Sequence, residues 1–273
     1  RLYPINRGAA RVEGLAAYTS ILEVPQTPDL AVVVIPAEQV SQALDEAGQR
    51  GTRVAFVGVS GFAEVSERGR ELQDDMLATI RRYGMRLCGP NCNGVYNVVD
   101  GIPIGYNSSH AETLPPGRAA MLAHSSAMLG LLAFRARRWH LGLSYLAGLG
   151  NEADWNMCDY LEFCIEDERT QAIGLLMESL SDGQRFLELA DQARRLGKHV
   201  VALKLGRSEP SKLAVTAHSA RMAGTAEAYE AAFSQAGVVS VDSVEAFVGA
   251  LHMLTSQPPI GRGRLMLVTS TGG

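Results

Sequence analysis

A histidine stands in a run of small residues, Ala217-His218-Ser219-Ala220-Arg221-Met222-Ala223-Gly224, between a polar loop (GRSEPSK) and a helix predicted to start near Thr225. Small neighbours leave room around the imidazole, and a histidine so placed can act as a nucleophile. Glu178 ends the predicted strand Ala172–Met177 and would stand at the same sheet edge. A carboxylate that takes the Nδ1 proton leaves Nε2 free to attack phosphorus. The same residue types also suit a solvent-facing loop histidine and a strand-end surface charge, and spacing alone does not choose between the two.

Other stretches could bind what such a histidine would act on. His124-Ser125-Ser126-Ala127 lies between a strand and a helix, where hydroxyls, free backbone N–H groups and the positive end of the helix dipole suit a phosphate. Capping of that helix by Ser125 or Ser126 uses the same geometry. Gly89-Pro90-Asn91-Cys92-Asn93-Gly94 follows a strand at the carboxyl edge, where open α/β sheets bind ligands, and reads equally as a plain turn. Ile35-Pro36-Ala37 and Val59-Ser60-Gly61-Phe62-Ala63-Glu64 also follow strands; each offers N–H groups to an anion or an amide, or is an ordinary βα connection. In Gly148–Asp154 (GLGNEAD), Asp154 is expected to cap the next helix, and Glu152 is a lone carboxylate. Cys92 has no basic partner in sequence and reads as a small buried thiol. Cys88 and Cys92 lack a second pair of metal ligands, and no metal site is expected.

Alternating strands and helices must position these loops. Leu2–Asn6 is a predicted short strand, and the run LAVVVI (Leu30–Ile35) a strand buried on both faces. Helix Ala37–Gly51, strand Arg53–Val59, helix Gln73–Tyr83 and strand Arg86–Cys88 complete a βαβ series with a parallel sheet. The polar, Pro- and Gly-containing segment Ser108–Gly117 is the expected boundary, dividing the chain into 1–113 and 114–256. The second series runs through strand Ala119–Ala123, helix Ala127–Trp139, strand Gly142–Ala147, helix Trp155–Ile165 and strand Ala172–Met177. Helix Gly183–Leu196, strand His199–Lys204, helix Thr225–Ala236 and strand Val238–Val241 follow, an order that suggests a flavodoxin-like domain. Residues 257–273 read as a linker and the strand Leu265–Thr269 of a further domain, so the chain is expected to be a piece of a longer one. The net charge of −4, with no Lys/Arg stripe, argues against a nucleic-acid surface. No apolar run is long enough for a membrane span. Four cysteines fit no disulfide framework, and a reduced, cytoplasmic setting is expected.

Taken in order, YPIN (3–6), DLAVVVIPAEQV (29–40), GFAE (61–64), GPNCNG (89–94), GNEAD (150–154), ALKLGRS (202–208), AHSARMAG (217–224) and QAGVV (235–239) resemble the NDP-forming acyl-CoA synthetase family. Its familiar relative is the succinyl-CoA synthetase α subunit. The resemblance implies a Rossmann-like CoA-binding domain whose first βα unit lies outside the chain, then a flavodoxin-like domain carrying a phosphohistidine. By that resemblance His218 matches the phosphorylated histidine and Glu178 the glutamate that orients it. The loops around Pro36, Ala37, Gly61, Phe62, Pro90 and Asn91 match positions along the CoA pantetheine and thiol, with Arg7 a candidate for a CoA phosphate. Ser125, Ser126, Ala127 and Gly224 would surround the transferred phosphate.

The implied reaction joins a carboxylic acid to CoA with ATP or GTP and Mg²⁺, through phosphohistidine and acyl phosphate. The nucleotide site is expected on an ATP-grasp domain elsewhere in the chain or on another subunit, and a homo-oligomer is expected. Two glycines of the family pattern are replaced, by Ala127 and Ala220. Two other classes remain: a catalytically silent CoA-binding module attached to an acetyltransferase, and a plain nucleotide-binding Rossmann protein. On the leading reading the two domains face each other across a cleft, onto which the Gly89–Gly94 turn and the His218 segment both open.

Overall fold

The computed structural model describes residues 1–105, 114–206, 211, 225–257, 266 and 268. His218, Gly224, most of the expected boundary and most of the expected strand at 265–269 lie outside the described residues.

Three short parallel strands, β3 (Leu30–Val33), β4 (Val54–Val57) and β5 (Arg86–Cys88), form the first sheet in sequence order. Its crossovers are helices α1 (Ala37–Gln49) and α2 (Glu67–Tyr83). Their apolar stripes (Val40, Leu44, Ala47; Leu72, Met76, Ile80) close one core with Val33, Val57 and Leu87. Alternation along β3 directs Ala31 and Val33 into that core, while Val32 and Val34 remain about half exposed. The run read as buried on both faces is thus buried on one. Leu2–Asn6 forms no strand beyond a single bridge between Ile5 and Tyr18, and a two-residue hairpin, β1 (Arg11–Val12) with β2 (Leu15–Ala16), follows it.

The second sheet has seven strands in the order β12-β11-β10-β8-β9-β6-β7. Strands β8 (Pro116–Ala123), β9 (Leu143–Gly148), β10 (Ala172–Met177), β11 (His199–Lys204) and β12 (Val239–Val241) are parallel. Renumbered within the domain their order is 2-1-3-4-5, the flavodoxin order expected from the sequence. Helices α4 (Met157–Glu166), α5 (Gly183–Arg195) and α6 (Ala226–Ala236) cover one face through Leu161, Phe186 and Phe233. Helices α3 (Ser126–Arg138) and α7 (Val244–Ser256) cover the other through Leu129, Leu132, Phe247 and Leu251. The sequence reading assigned no element to α7, although Ser243 caps it and its buried positions keep helical spacing.

The antiparallel hairpin β6 (Gly94–Asn97) and β7 (Ile102–Gly105) was also not anticipated. It lies on the N-terminal side of the expected boundary, yet β6 pairs with β9. By backbone hydrogen bonding the first sheet ends at Cys88, and among the described residues every strand from Gly94 onward belongs to the second sheet. Turn composition marks where a chain leaves regular structure, not which sheet a short strand joins. Among the described residues no helix is long and apolar enough to cross a membrane.

Candidate functional site

Because β8, β9 and β10 are parallel, the loops that follow them emerge at one edge. Strands β8 and β10 flank the point where the winding direction reverses, which is where doubly wound sheets bind ligands. The loop after β8 begins with His124 and that after β10 with Glu178. His124 is buried and accepts the Glu178 backbone N–H at Nδ1 (3.1 Å). Its Nε2 lies 3.1 Å from Glu152 Oε1, at ion-pair distance but off the line of a hydrogen bond. Glu152, buried with φ of 50°, accepts the Met157 N–H at 2.6 Å. Next to Glu178, the buried Ser179 hydroxyl has no hydrogen-bond partner among the described residues. Glu178 therefore stands at the edge the sequence predicted, beside a histidine and a second carboxyl group that spacing did not connect to it.

Helix α3 starts at the same edge. Ser125 caps it by accepting the Met128 N–H (3.4 Å), while Ser126 Oγ accepts the Asn93 N–H (3.1 Å). Of the two capping candidates, Ser125 caps and Ser126 ties the Gly89–Gly94 turn to the helix. Ala127 is exposed on the first helical turn. Lys204, at the end of β11, is buried with its ammonium group on the Leu205 carbonyl and 4.8 Å over the Tyr229 ring. It was not singled out from sequence, although a lysine closing the apolar strand HVVALK is a usable signal.

The carboxyl edge of the first sheet meets this one through the Gly89–Gly94 turn. The Pro90 carbonyl accepts the Asn151 N–H (3.0 Å), and the Gly89 carbonyl accepts the Ala153 N–H (3.1 Å). Asn91 donates to Asn151 Oδ1 (3.2 Å), and Asn151 donates in turn to Glu64 Oε2 (2.5 Å). The sequence reading has Asp154 capping α4, and the structure corrects this. The Asp154 carboxylate accepts the Leu87 N–H and the Arg86 guanidinium, and Asn156 with Asp159 forms the capping box instead. Gly150 makes this docking possible, since it has φ of +62° and a Cβ there would lie 2.1 Å from the Pro90 carbonyl oxygen. Gly150→Ala should cost about 1–3 kcal/mol in urea unfolding. Gly183→Ala, at a negative φ with open space around its Cβ, should stay within about 0.5 kcal/mol of wild type. Equal losses in the two variants would refute the close approach.

The residues expected to line CoA divide. Pro36 is exposed, Asn91 is part-exposed with φ of 56°, and both stand at the carboxyl edge. Pro90 and Ala37 are buried, and a Cβ on Gly61 would lie 3.2 Å from Ala37 Cβ. Phe62 is wholly buried in the first core and presents no side-chain surface. The Gly61 and Phe62 N–H groups, expected to be free for a ligand, are both taken by Glu64 Oε1 (2.7 and 3.2 Å). Arg7 is not brought to this edge: it lies 3.7 Å from Glu46, nine residues along α1, about 13 Å from the helix start.

Family comparison agrees with this layout. Residues 116–254 match the succinyl-CoA ligase like flavodoxin domain, and residues 1–98 match a CoA binding domain. The whole chain is 32% identical to the α subunit of acetate–CoA ligase [ADP-forming] II from Pyrococcus furiosus, covering 58% of that protein. It is 34% identical to acetate–CoA ligase [ADP-forming] from Methanocaldococcus jannaschii, covering 38% of it. Among solved structures, dinucleotide forming acetyl-coenzyme A synthetase 1 of Ca. Korarchaeum cryptofilum, in complex with phosphate and ADP, superposes with a TM-score of 0.86 at 30% identity. That match covers 95% of this chain and 55% of the other. The chain thus spans about half the length of the relatives it matches.

Proposed function

Since the chain belongs to the NDP-forming acyl-CoA synthetase family, with a CoA-binding domain followed by a succinyl-CoA-ligase-like flavodoxin domain, we propose that it is the acyl-CoA-forming part of such a ligase. The reaction is carboxylic acid, CoA and ATP or GTP with Mg²⁺ going to acyl-CoA, NDP and phosphate. The observation that carries this reading is the meeting of two carboxyl edges, where the Gly89–Gly94 turn hydrogen-bonds both the α3 start and the loop after β9.

The residues present fit a phosphate at the second edge. Ser179 offers a buried hydroxyl without a partner among the described residues, and α3 begins at the same edge with a serine cap. Glu152 and Glu178 are two buried carboxyl groups there, so an anion needs a cationic or N–H-bearing group between them and itself. Lys204 is one such group. By family resemblance His218 would be the other, oriented through one ring nitrogen by Glu178 and carrying the phosphoryl group to the acid on the other. CoA would approach over Pro36 and Asn91, which keep exposed surface at the carboxyl edge. ATP-grasp machinery would supply nucleotide and Mg²⁺ from outside these residues, as a separate subunit or another part of the chain; a relative named as an α subunit supports the first arrangement.

The test is acyl-CoA formation by the full-length protein with its nucleotide-binding partner over a panel of carboxylic acids. Wild type should form acyl-CoA with at least one acid, and Glu178→Gln should lower kcat by about 10²-fold with little change in the KM for CoA. No product from any acid would overturn the ligase reading; a Glu178→Gln protein at wild-type rate would overturn only the role of that residue.

A further inference from the structure

Four cysteines are free and buried, yet their surroundings differ. Cys88 and Cys92 flank the Gly89–Asn91 turn with their sulfur atoms 3.8 Å apart, and the Tyr160 hydroxyl donates to Cys88 Sγ at 2.8 Å. Cys88 also lines a solvent-open, mainly apolar cavity of about 800 Å³, between the face of the first sheet that α1 and α2 leave uncovered and helix α4. Phe56, Val95, Trp155 and Tyr160 line the same space. Cys92 is fully buried behind Cys88.

We propose that Cys88 and Cys92 are a peroxide-oxidisable dithiol, with Cys88 the attacked sulfur, reached through this cavity, and Cys92 the resolving one. The Cys88 thiolate attacks one peroxide oxygen, the O–O bond breaks, and hydroxide leaves a sulfenic acid on Cys88. Cys92 then attacks the Cys88 sulfur, the S–O bond breaks, and water departs with the Cys92 proton. Overall the two thiols lose two hydrogens and hydrogen peroxide becomes two waters. The cavity gives peroxide a route towards Cys88, and the sulfur atoms need to close by less than 2 Å to reach bonding distance, about 2.05 Å.

Protonation favours the same division of roles. The hydrogen bond with Cys92, and then the one from the Tyr160 hydroxyl, hold the Cys88 thiol below its ordinary range, against burial. Cys92 is pushed well up by its contact with Cys88 and by burial. Burial raises Cys158 to about 11 and Cys164 to about 12, so these two serve as unreactive controls in the same molecule. The resulting bond would tether the two ends of the turn that holds the sheets together.

The experiment is treatment of the intact protein with hydrogen peroxide near neutral pH, followed by proteolysis under non-reducing conditions and mass spectrometry. The expected product is an intramolecular Cys88–Cys92 disulfide, lighter by two hydrogens and restored by dithiothreitol, with Cys158 and Cys164 still thiols. Cys92→Ser should leave a Cys88 sulfenic acid that dimedone traps, and Tyr160→Phe should slow oxidation about tenfold. The wild-type result decides even if a variant misfolds. No disulfide, or oxidation of Cys158 or Cys164 as fast as that of Cys88, would overturn the proposal.

Discussion

His218→Asn in the full-length protein is expected to lower acyl-CoA formation at least ~10³-fold, as removal of a covalent nucleophile does. The same variant should lose the phosphoryl label that wild type takes up from Mg-NTP, a label that is acid-labile and base-stable as phosphoramidates are. Asparagine keeps polarity and approximate size but has no ring nitrogen to attack phosphorus, so the loss isolates the nucleophile. Glu178 already stands buried at the switch point, next to the Ser179 hydroxyl and the start of α3. A phosphoryl group at that edge would meet donors on the protein side, and the carboxyl group would hold the imidazole. Thermal unfolding of the variant should be recorded alongside, so that lost folding is not taken for lost chemistry. Acyl-CoA formed at the wild-type rate with Asn at 218 would remove this histidine from the reaction.

Phe62→Ala is expected to cost about 3–5 kcal/mol in urea unfolding, a large part of the ~5–15 kcal/mol that holds a domain together. Resemblance put Phe62 among the residues that line CoA. The structure buries its ring completely in the core formed by α1, α2 and the first sheet, with Val40, Leu44 and Met76. Removing it leaves a cavity that neighbours on two helices and a sheet fill only in part. A pantetheine-lining residue behaves differently, with little stability lost and a raised KM for CoA. A variant within about 0.5 kcal/mol of wild type but with weakened CoA binding would restore the original reading. Phe62→Leu, which keeps most of the volume, should cost no more than about 1.5 kcal/mol.

Phe62 shows what a motif leaves undecided. GFAE marks a strand-end loop correctly, but whether that loop's N–H groups face a ligand depends on Glu64, which folds back onto Gly61 and Phe62. Likewise GNEAD was legible as a loop before a helix. That Asp154 reaches across to Leu87 rather than capping α4 depends on the first sheet lying beside it.

By itself the sequence determined the alternation of strands and helices, the flavodoxin order of the second sheet, and the strand-end positions of His124, Asn91 and Glu178. These are local or near-local properties: apolar runs make buried strands, helical spacing makes crossovers, and right-handed crossovers between parallel strands place the intervening loops at the carboxyl edge. Tertiary structure alone decided which sheet the 94–105 hairpin joins, that Arg7 lies against Glu46 far from that edge, and that His124 bridges Glu178 and Glu152. It also decided that Cys88 faces a cavity while Cys92 lies behind it. Each of these depends on contacts between residues far apart in the chain, such as the 54 positions between His124 and Glu178, and no periodicity records a contact at that separation.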